Sequence, residues 1–188
     1  MTEVILKDRI IKNMNDKERK CYEKLEMHYN LPIYYGENGD GTSVIIEYVE
    51  GAKYIDSICG RPKLYSSVMG QLISLADHMH SKGIIHNQLI VHKNTLYDES
   101  TNRVIVVGFE DACLCNINRM DASEFNIKRE YTRIAYIGWL LLYNIKHEYI
   151  FTDDDPLLYS VANEMQHYIN THHATKESQI MKYLLARM

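Results

Sequence analysis

The chain has 188 residues, 46% of them hydrophobic and 24% charged, which is enough apolar material for one packed core. A net charge of −4, with acidic and basic residues interspersed, argues against a nucleic-acid partner. No apolar run reaches the roughly 18 residues of a membrane span, so no membrane partner is expected.

"VILK" at 4–7 reads as a short strand, and "NDKERKCYEKLEMHYN" at 15–30 as an amphipathic helix. Asn15 is its expected cap, with Glu18 three residues later and Cys21 and Leu25 on the apolar face. "PIYYG" (32–36) and "SVIIEYV" (43–49) read as two strands around "ENGDGT", which holds both Asn-Gly and Asp-Gly. From 64 to 82 the apolar positions Leu64, Val68, Leu72, Leu75, Ala76 and Met79 keep helical spacing, and Gly83 closes the helix. "IVHKNTLYDESTNRVIVVGF" (90–109) offers two short strands around a polar turn. Residues 111–129 read as an irregular polar loop, and 130–146 as a helix apolar on nearly all faces. Two more amphipathic helices come after it, opening at Asp155-Pro156 and at Glu177-Ser178. The mixture is α+β, with helices concentrated in the last two-thirds.

These motifs, in this order, resemble the protein-kinase-like fold over most of the chain, entered partway through the small lobe. The resemblance implies a remnant small lobe at 1–50, with a few antiparallel strands and one helix, and a mainly helical large lobe at 51–188. "IIEYVEG" (45–51) would be the hinge between them. Lys7, ending "VILK", would be the lysine that pairs with nucleotide phosphates, and Glu18 or Glu23 its ion-pair partner. "LADHMHSKGIIHNQL" (75–89) resembles the helix that runs into the catalytic loop H-R-D-L-x-x-x-N, with His86 at the histidine. "VIVVGFEDA" (104–112) resembles the strand ending in the metal-binding D-F-G, which places Gly108, Phe109 and Glu110 there. The short segment after Phe109, and "NTLY" at 94–97, are similar to the RIO kinases and to the small kinase of the KEOPS tRNA-modifying complex. Those enzymes keep both aspartates.

Within that resemblance the chemistry is missing. Gln88 stands at the catalytic-base position and is uncharged. The metal-binding asparagine, due seven residues after His86, falls on Lys93, with Asn94 one further on. Gly108 takes the D-F-G carboxylate position, while Glu110 comes two residues late and Asp111 later still. Three residues ahead of "VILK" leave no room for a glycine-rich loop, and "GENGDG" at 36–41 reads as a hairpin turn instead. Simpler readings cover several other features. Lys7 can be an ordinary near-terminal lysine, and "DDD" at 153–155 a solvated helix start. Cys113 and Cys115 lack a partner pair at zinc-finger spacing. As a protease nucleophile with His86 or His92 as base, Cys113 lacks a helix N-terminus behind it. The four cysteines, Cys21 and Cys59 included, have no framework spacing, and no signal-peptide pattern opens the chain; reduced thiols in the cytoplasm are expected.

The resemblance therefore implies a catalytically inactive kinase mimic with no metal or other cofactor. Its partner would be a kinase, or a kinase's regulator or substrate, in the manner of small truncated virus-encoded inhibitors of host kinases. Two alternatives stand beside it. One is an atypical ATP-dependent phosphotransferase or ATPase, with Glu110 or Asp111 holding a metal and Asn94 assisting. The other is a structural subunit of a larger complex.

Overall fold

A computed structural model describes residues 4–39, 41–89, 93–115, 120–143, 156–172 and 175–188. Strands β1 (Val4–Leu6) and β2 (Arg9–Asn13) form a tight hairpin that turns at Lys7 and Asp8. β3 (Tyr34–Asn38) and β4 (Ser43–Glu47) form the hairpin expected from the Asn-Gly and Asp-Gly signals. Together they make an antiparallel sheet in the order β1-β2-β4-β3. Only one strand was expected ahead of the first helix. "RIIKN" supplies the second because its β-branched Ile10 and Ile11 pair with Ile46 and Ile45 of β4, a long-range partnership that local pattern does not reveal.

Helix α1 (Asp16–Leu25) opens as expected, with the Asn15 side chain accepting a hydrogen bond from the Glu18 amide at 2.8 Å. Cys21 and Leu25 are fully buried. The helix ends five residues before the expected Asn30, where Glu26 adopts φ 56°. The segment beyond Glu26 is held from outside. The Arg103 guanidinium donates to the carbonyls of Tyr29 (2.6 Å) and Leu31 (2.7 Å) and grips both oxygens of Glu47 (2.8 and 3.0 Å). A tertiary clamp thus overrides the helical periodicity.

After β4, Gly51 (φ 79°) and two 3-10 turns (Ile55–Ile58 and Pro62–Leu64) lead into α2 (Tyr65–Ser81), close to the expected 64–82. Gly83 takes φ 69° and its amide bonds to the His80 carbonyl at 2.9 Å, the helix-ending role read from sequence. Among the described residues, five short strands come before and after this helix in the chain. β5 (Lys53–Tyr54), β7 (Thr95–Asp98) and β8 (Arg103–Val106) form one sheet, and β6 (Ile84–Ile85) pairs with β9 (Cys113–Leu114) in another. β6 and β8 pack against α2. The polar turn between β7 and β8 is built on Asp98, which accepts from the Ser100 amide and from the Ser100 and Thr101 hydroxyls; the Thr101 bond foremost holds its carboxyl below the usual carboxylate range.

Helix α3 (Met120–Tyr143) starts ten residues earlier than expected. "MDASEFNIKR" (120–129) reads as loop by hydrophobicity, yet it lacks Gly and Pro, and Ile127 packs against the core. Leu141 is buried and Trp139 half-buried, as the central-helix reading requires. Gly138 lets α3 approach α2 closely: a Cβ there would sit 2.9 Å from both Met69 Cε and Tyr65 Cε2. The expected helix end at 144–146 and the "DDD" run lie outside the described residues. Helix α4 (Pro156–Thr171) opens on its proline. Helix α5 (Lys176–Leu185) is capped by Thr175, whose hydroxyl accepts from the Ser178 amide at 3.1 Å, and not by the Glu177-Ser178 pair. Asp77 of α2 ties the end of the chain down, accepting from Tyr183 (2.6 Å) and from Tyr131. Among the described residues no helix is long and apolar enough to cross a membrane. The architecture is α+β, with the sheet and α1 first and the helices after.

Candidate functional site

The site forms where α1, the segment after β6 and the segment after β8 meet. Lys12, on β2, reaches Glu18 on α1 with Nζ to Oε1 at 2.9 Å. Glu18 is buried to 2% exposure, so this pairing supplies the counter-charge that its carboxylate needs. Lys7, the lysine expected from sequence, takes no part. It lies in the β1–β2 turn at φ 46°, exposed, and Glu23 on α1 is exposed as well. Both "VILK" and "RIIK" end a β-prone run on lysine, and only the sheet pairing tells them apart.

One turn after Glu18, Tyr22 begins a column of rings. It stacks on Tyr34 of β3 (centroids 6.1 Å) and meets Phe109 edge-on (5.2 Å), and Phe109 rests on His86 (4.5 Å). All but Tyr34 are buried, and the column joins the four-stranded sheet to the helical part of the chain. The Tyr22 hydroxyl is buried beside the Gly108 backbone. Burial, and then the carboxylates of Glu18 and Glu110, push its pKa well above the usual phenol value. Tyr22, Tyr34 and Lys12 were not singled out by sequence reasoning. Helical spacing of four from Glu18 was the available signal for Tyr22.

His86 is locked by its neighbours. Its Nε2 donates to the Val107 carbonyl (3.0 Å) and its Nδ1 accepts from the Gln88 amide (3.2 Å), which defines a neutral tautomer. Burial holds its pKa below the ordinary histidine value, against the opposing pull of Glu130. Glu130, buried near the middle of α3, accepts from the backbone amides of His86 (2.8 Å) and Asn87 (3.3 Å) and from His80 Nε2 (2.6 Å). Arg133 donates to the Asn87 carbonyl. A buried carboxylate thereby fixes the loop, a role that the reading of α3 as apolar on all faces did not foresee.

Gln88, Asn94, Gly108 and Glu110 complete the cleft. Asn94 Nδ2 donates to the Gln88 carbonyl (3.0 Å), and the Val107 amide donates to the Asn94 carbonyl (2.9 Å). Gly108 has φ 75°. A Cβ there would collide with Asn94 Oδ1, stand 2.9 Å from Asn94 Cγ and lie 3.2 Å from Glu110 Oε2. The space where a side chain would begin at 108 is therefore bordered by an amide oxygen and by the exposed Glu110 carboxylate. Asp111 is exposed and offers its carbonyl to Asn87 Nδ2 at 3.3 Å. Thus Glu18, His86, Gln88, Asn94, Gly108, Phe109 and Glu110 converge, while Lys7 and Glu23 stay outside.

Magnesium is usually held by one or two carboxylates together with substrate phosphates, and here one exposed carboxylate, Glu110, stands beside the neutral Asn94 amide, which is the minimum of that donor set. Among the described residues no group of three or more His, Cys, Asp or Glu side chains could hold a metal ion, Cys113 and Cys115 included. His92 lies outside the described residues.

The order of elements, the sheet and the ring column define a protein-kinase-like fold. Solved structures similar to this chain include the Cydia pomonella granulovirus kinase PK-1 (TM-score 0.63, 14% identity, covering 97% of this chain and 80% of that one). The Rad53 kinase domain with SCD2 and AMPPNP is similar as well (TM-score 0.63, 16% identity, 94% and 73%). In sequence, the serine/threonine-protein kinase KIN4 of Saccharomyces cerevisiae is 33% identical over 107 residues, which is 50% of this chain but only 13% of that protein. No family model matches the sequence.

Proposed function

We propose that this chain is a catalytically inactive kinase-like protein that acts through protein–protein binding, as an inhibitor or scaffold in a kinase pathway. The observation that carries the reading is the cleft itself. Gln88 supplies no proton acceptor at the base position, and Gly108 supplies no carboxylate at the metal position. Phosphoryl transfer depends on positioning and on neutralising phosphate charge, and loss of either group removes several powers of ten in rate, at about 1.4 kcal/mol for each. What persists is framework: the Lys12–Glu18 pair, the ring column and the Glu130-anchored loop. Such a framework can present a kinase-shaped surface to a kinase, or to a kinase's regulator or substrate, in the cytoplasm. On this reading residues 1–50 are a remnant small lobe, hinged near Glu50-Gly51 to a large lobe at 51–188.

One observation favours a second reading, an atypical phosphotransferase or ATPase. Glu110 places Oε2 3.2 Å from where a side chain at 108 would start, next to Asn94. One experiment separates the two. The purified protein is titrated with magnesium and ATP by calorimetry, then assayed for hydrolysis and for transfer to itself and to generic protein substrates. Inactivity is the expected result. Magnesium-dependent turnover that disappears in Glu110→Ala would overturn the proposal in favour of the second reading.

A further inference from the structure

Cys113 and Cys115 are not used by the site above. They flank Leu114 at the end of β9, and both are half-buried, within reach of small solutes. Their sulfurs lie 3.2 Å apart, with one thiol donating to the other. The two other cysteines differ: Cys21 is fully buried, and Cys59 belongs to the turn before α2.

We propose that Cys113 and Cys115 form a reversible disulfide by exchange with a low-molecular-weight disulfide of the glutathione class. The inference is independent of the function proposed above. Burial, and then the Cys113 contact, push the Cys115 thiol up to about 11, which makes it a poor first nucleophile at neutral pH. Cys113 attacks first: its sulfur bonds to one sulfur of the small disulfide, whose S–S bond breaks and releases one thiol. Cys115 then attacks the Cys113 sulfur of the mixed disulfide and releases the second. The two protein thiols are oxidised to one disulfide, the small disulfide is reduced to two thiols, and the two protons lost from the cysteines end on the released sulfurs.

Geometry makes this bond labile and gives it a structural consequence. Residues two apart in an extended chain stand about 6.6 Å apart at Cα. A disulfide usually holds its Cα atoms about 4.4–6.8 Å apart and most often about 5.5–6 Å, so the extended spacing lies near the upper limit. Closing the ring at the commoner spacing draws Leu114 toward a less extended conformation. That strains the Ile84↔Leu114 and Ile85↔Cys113 pairing and the bond from the Cys115 amide to the Gly83 carbonyl (2.8 Å). β6 runs directly into His86, so oxidation loosens the anchor of the loop that holds Gln88.

The test equilibrates the purified full chain against graded mixtures of reduced and oxidised glutathione, quenches in acid, alkylates and maps peptides by mass. At oxidising ratios the peptide carrying both cysteines should be lighter by two hydrogens, with neither alkyl group nor glutathione attached, and dithiothreitol should restore both alkylation sites. In that state the Cys115 amide should exchange hydrogen several-fold faster. Cys113→Ser should leave Cys115 unmodified or stopped at the glutathione adduct. Persistent glutathione on either cysteine of the wild type, or alkylation of both at every ratio, overturns the proposal. So does a pair that oxidises with no change in exchange at Cys115, as far as the coupling to β6 is concerned.

Discussion

Replacing Gly108 with alanine tests the geometry on which the functional reading rests. A non-glycine residue in the left-handed region costs about 1–2 kcal/mol. The new Cβ would also collide with Asn94 Oδ1, at a side chain only 8% exposed that is held by its bond to the Gln88 carbonyl. Displacing that amide gives up a hydrogen bond of about 1 kcal/mol. The stiffer unfolded chain returns roughly 0.5 kcal/mol, leaving a net loss of about 2 kcal/mol. With a urea slope of about 2 kcal/mol per molar, the unfolding midpoint should fall by about 1 M. In an Asn94→Ala background the collision is gone, so the same substitution should cost only the backbone term, a coupling of about 1 kcal/mol between the two positions. A midpoint shift under about 0.2 M, or equal shifts in both backgrounds, would refute the close approach. Aspartate tolerates positive φ better than alanine but carries the same Cβ. Gln88→Asp combined with Gly108→Asp is therefore expected to yield no phosphotransfer, and robust activity from that pair would show a recently silenced enzyme.

Lys12→Met strands the buried Glu18 carboxylate and should cost about 3 kcal/mol in urea unfolding, whereas Lys7→Met should stay within about 0.5 kcal/mol; equal effects would contradict the placement of the two lysines. Arg103→Lys loses the planar fork that joins Glu47 to the 29–31 carbonyls, side chains only 13% and 19% exposed in the wild type, and should lower the melting temperature by about 5 °C, at roughly 2 kcal/mol. His86 should titrate below the ordinary 6.5 in an NMR pH series, because burial disfavours its charged form. The unfolded chain takes up that proton first, so the stability His86 contributes is complete above the ordinary histidine value and is lost as pH falls from there toward its folded pKa. A midpoint at or above the ordinary value would contradict the buried neutral tautomer.

Local chemistry carried much of this protein in its sequence. Asn15 with Glu18, the Asn-Gly and Asp-Gly turn, the spacing from Leu64 to Met79 and the stop at Gly83 each act within one turn or a few residues, so they could be read without partners. The convergence of His86, Gln88, Asn94 and Gly108 was legible too, because the order of motifs implied a fold that brings those segments together. The tertiary structure was needed for every choice between locally equivalent options. "VILK" and "RIIK" are interchangeable as isolated strings, and the pairing of β2 with β4 aims Lys12, not Lys7, at Glu18. The helix read to Asn30 stops at Leu25, and Arg103, more than seventy residues away, holds the segment beyond it. The polar start of α3 looked like loop because it lacks an apolar stripe, and in the same helix the buried Glu130 serves backbone amides of a distant segment. Gly108 looked like a lost aspartate, and only three dimensions place Asn94 and Glu110 in the space where its side chain would begin. Each of these outcomes is set by contacts between residues far apart in the chain, whose energies no local window contains.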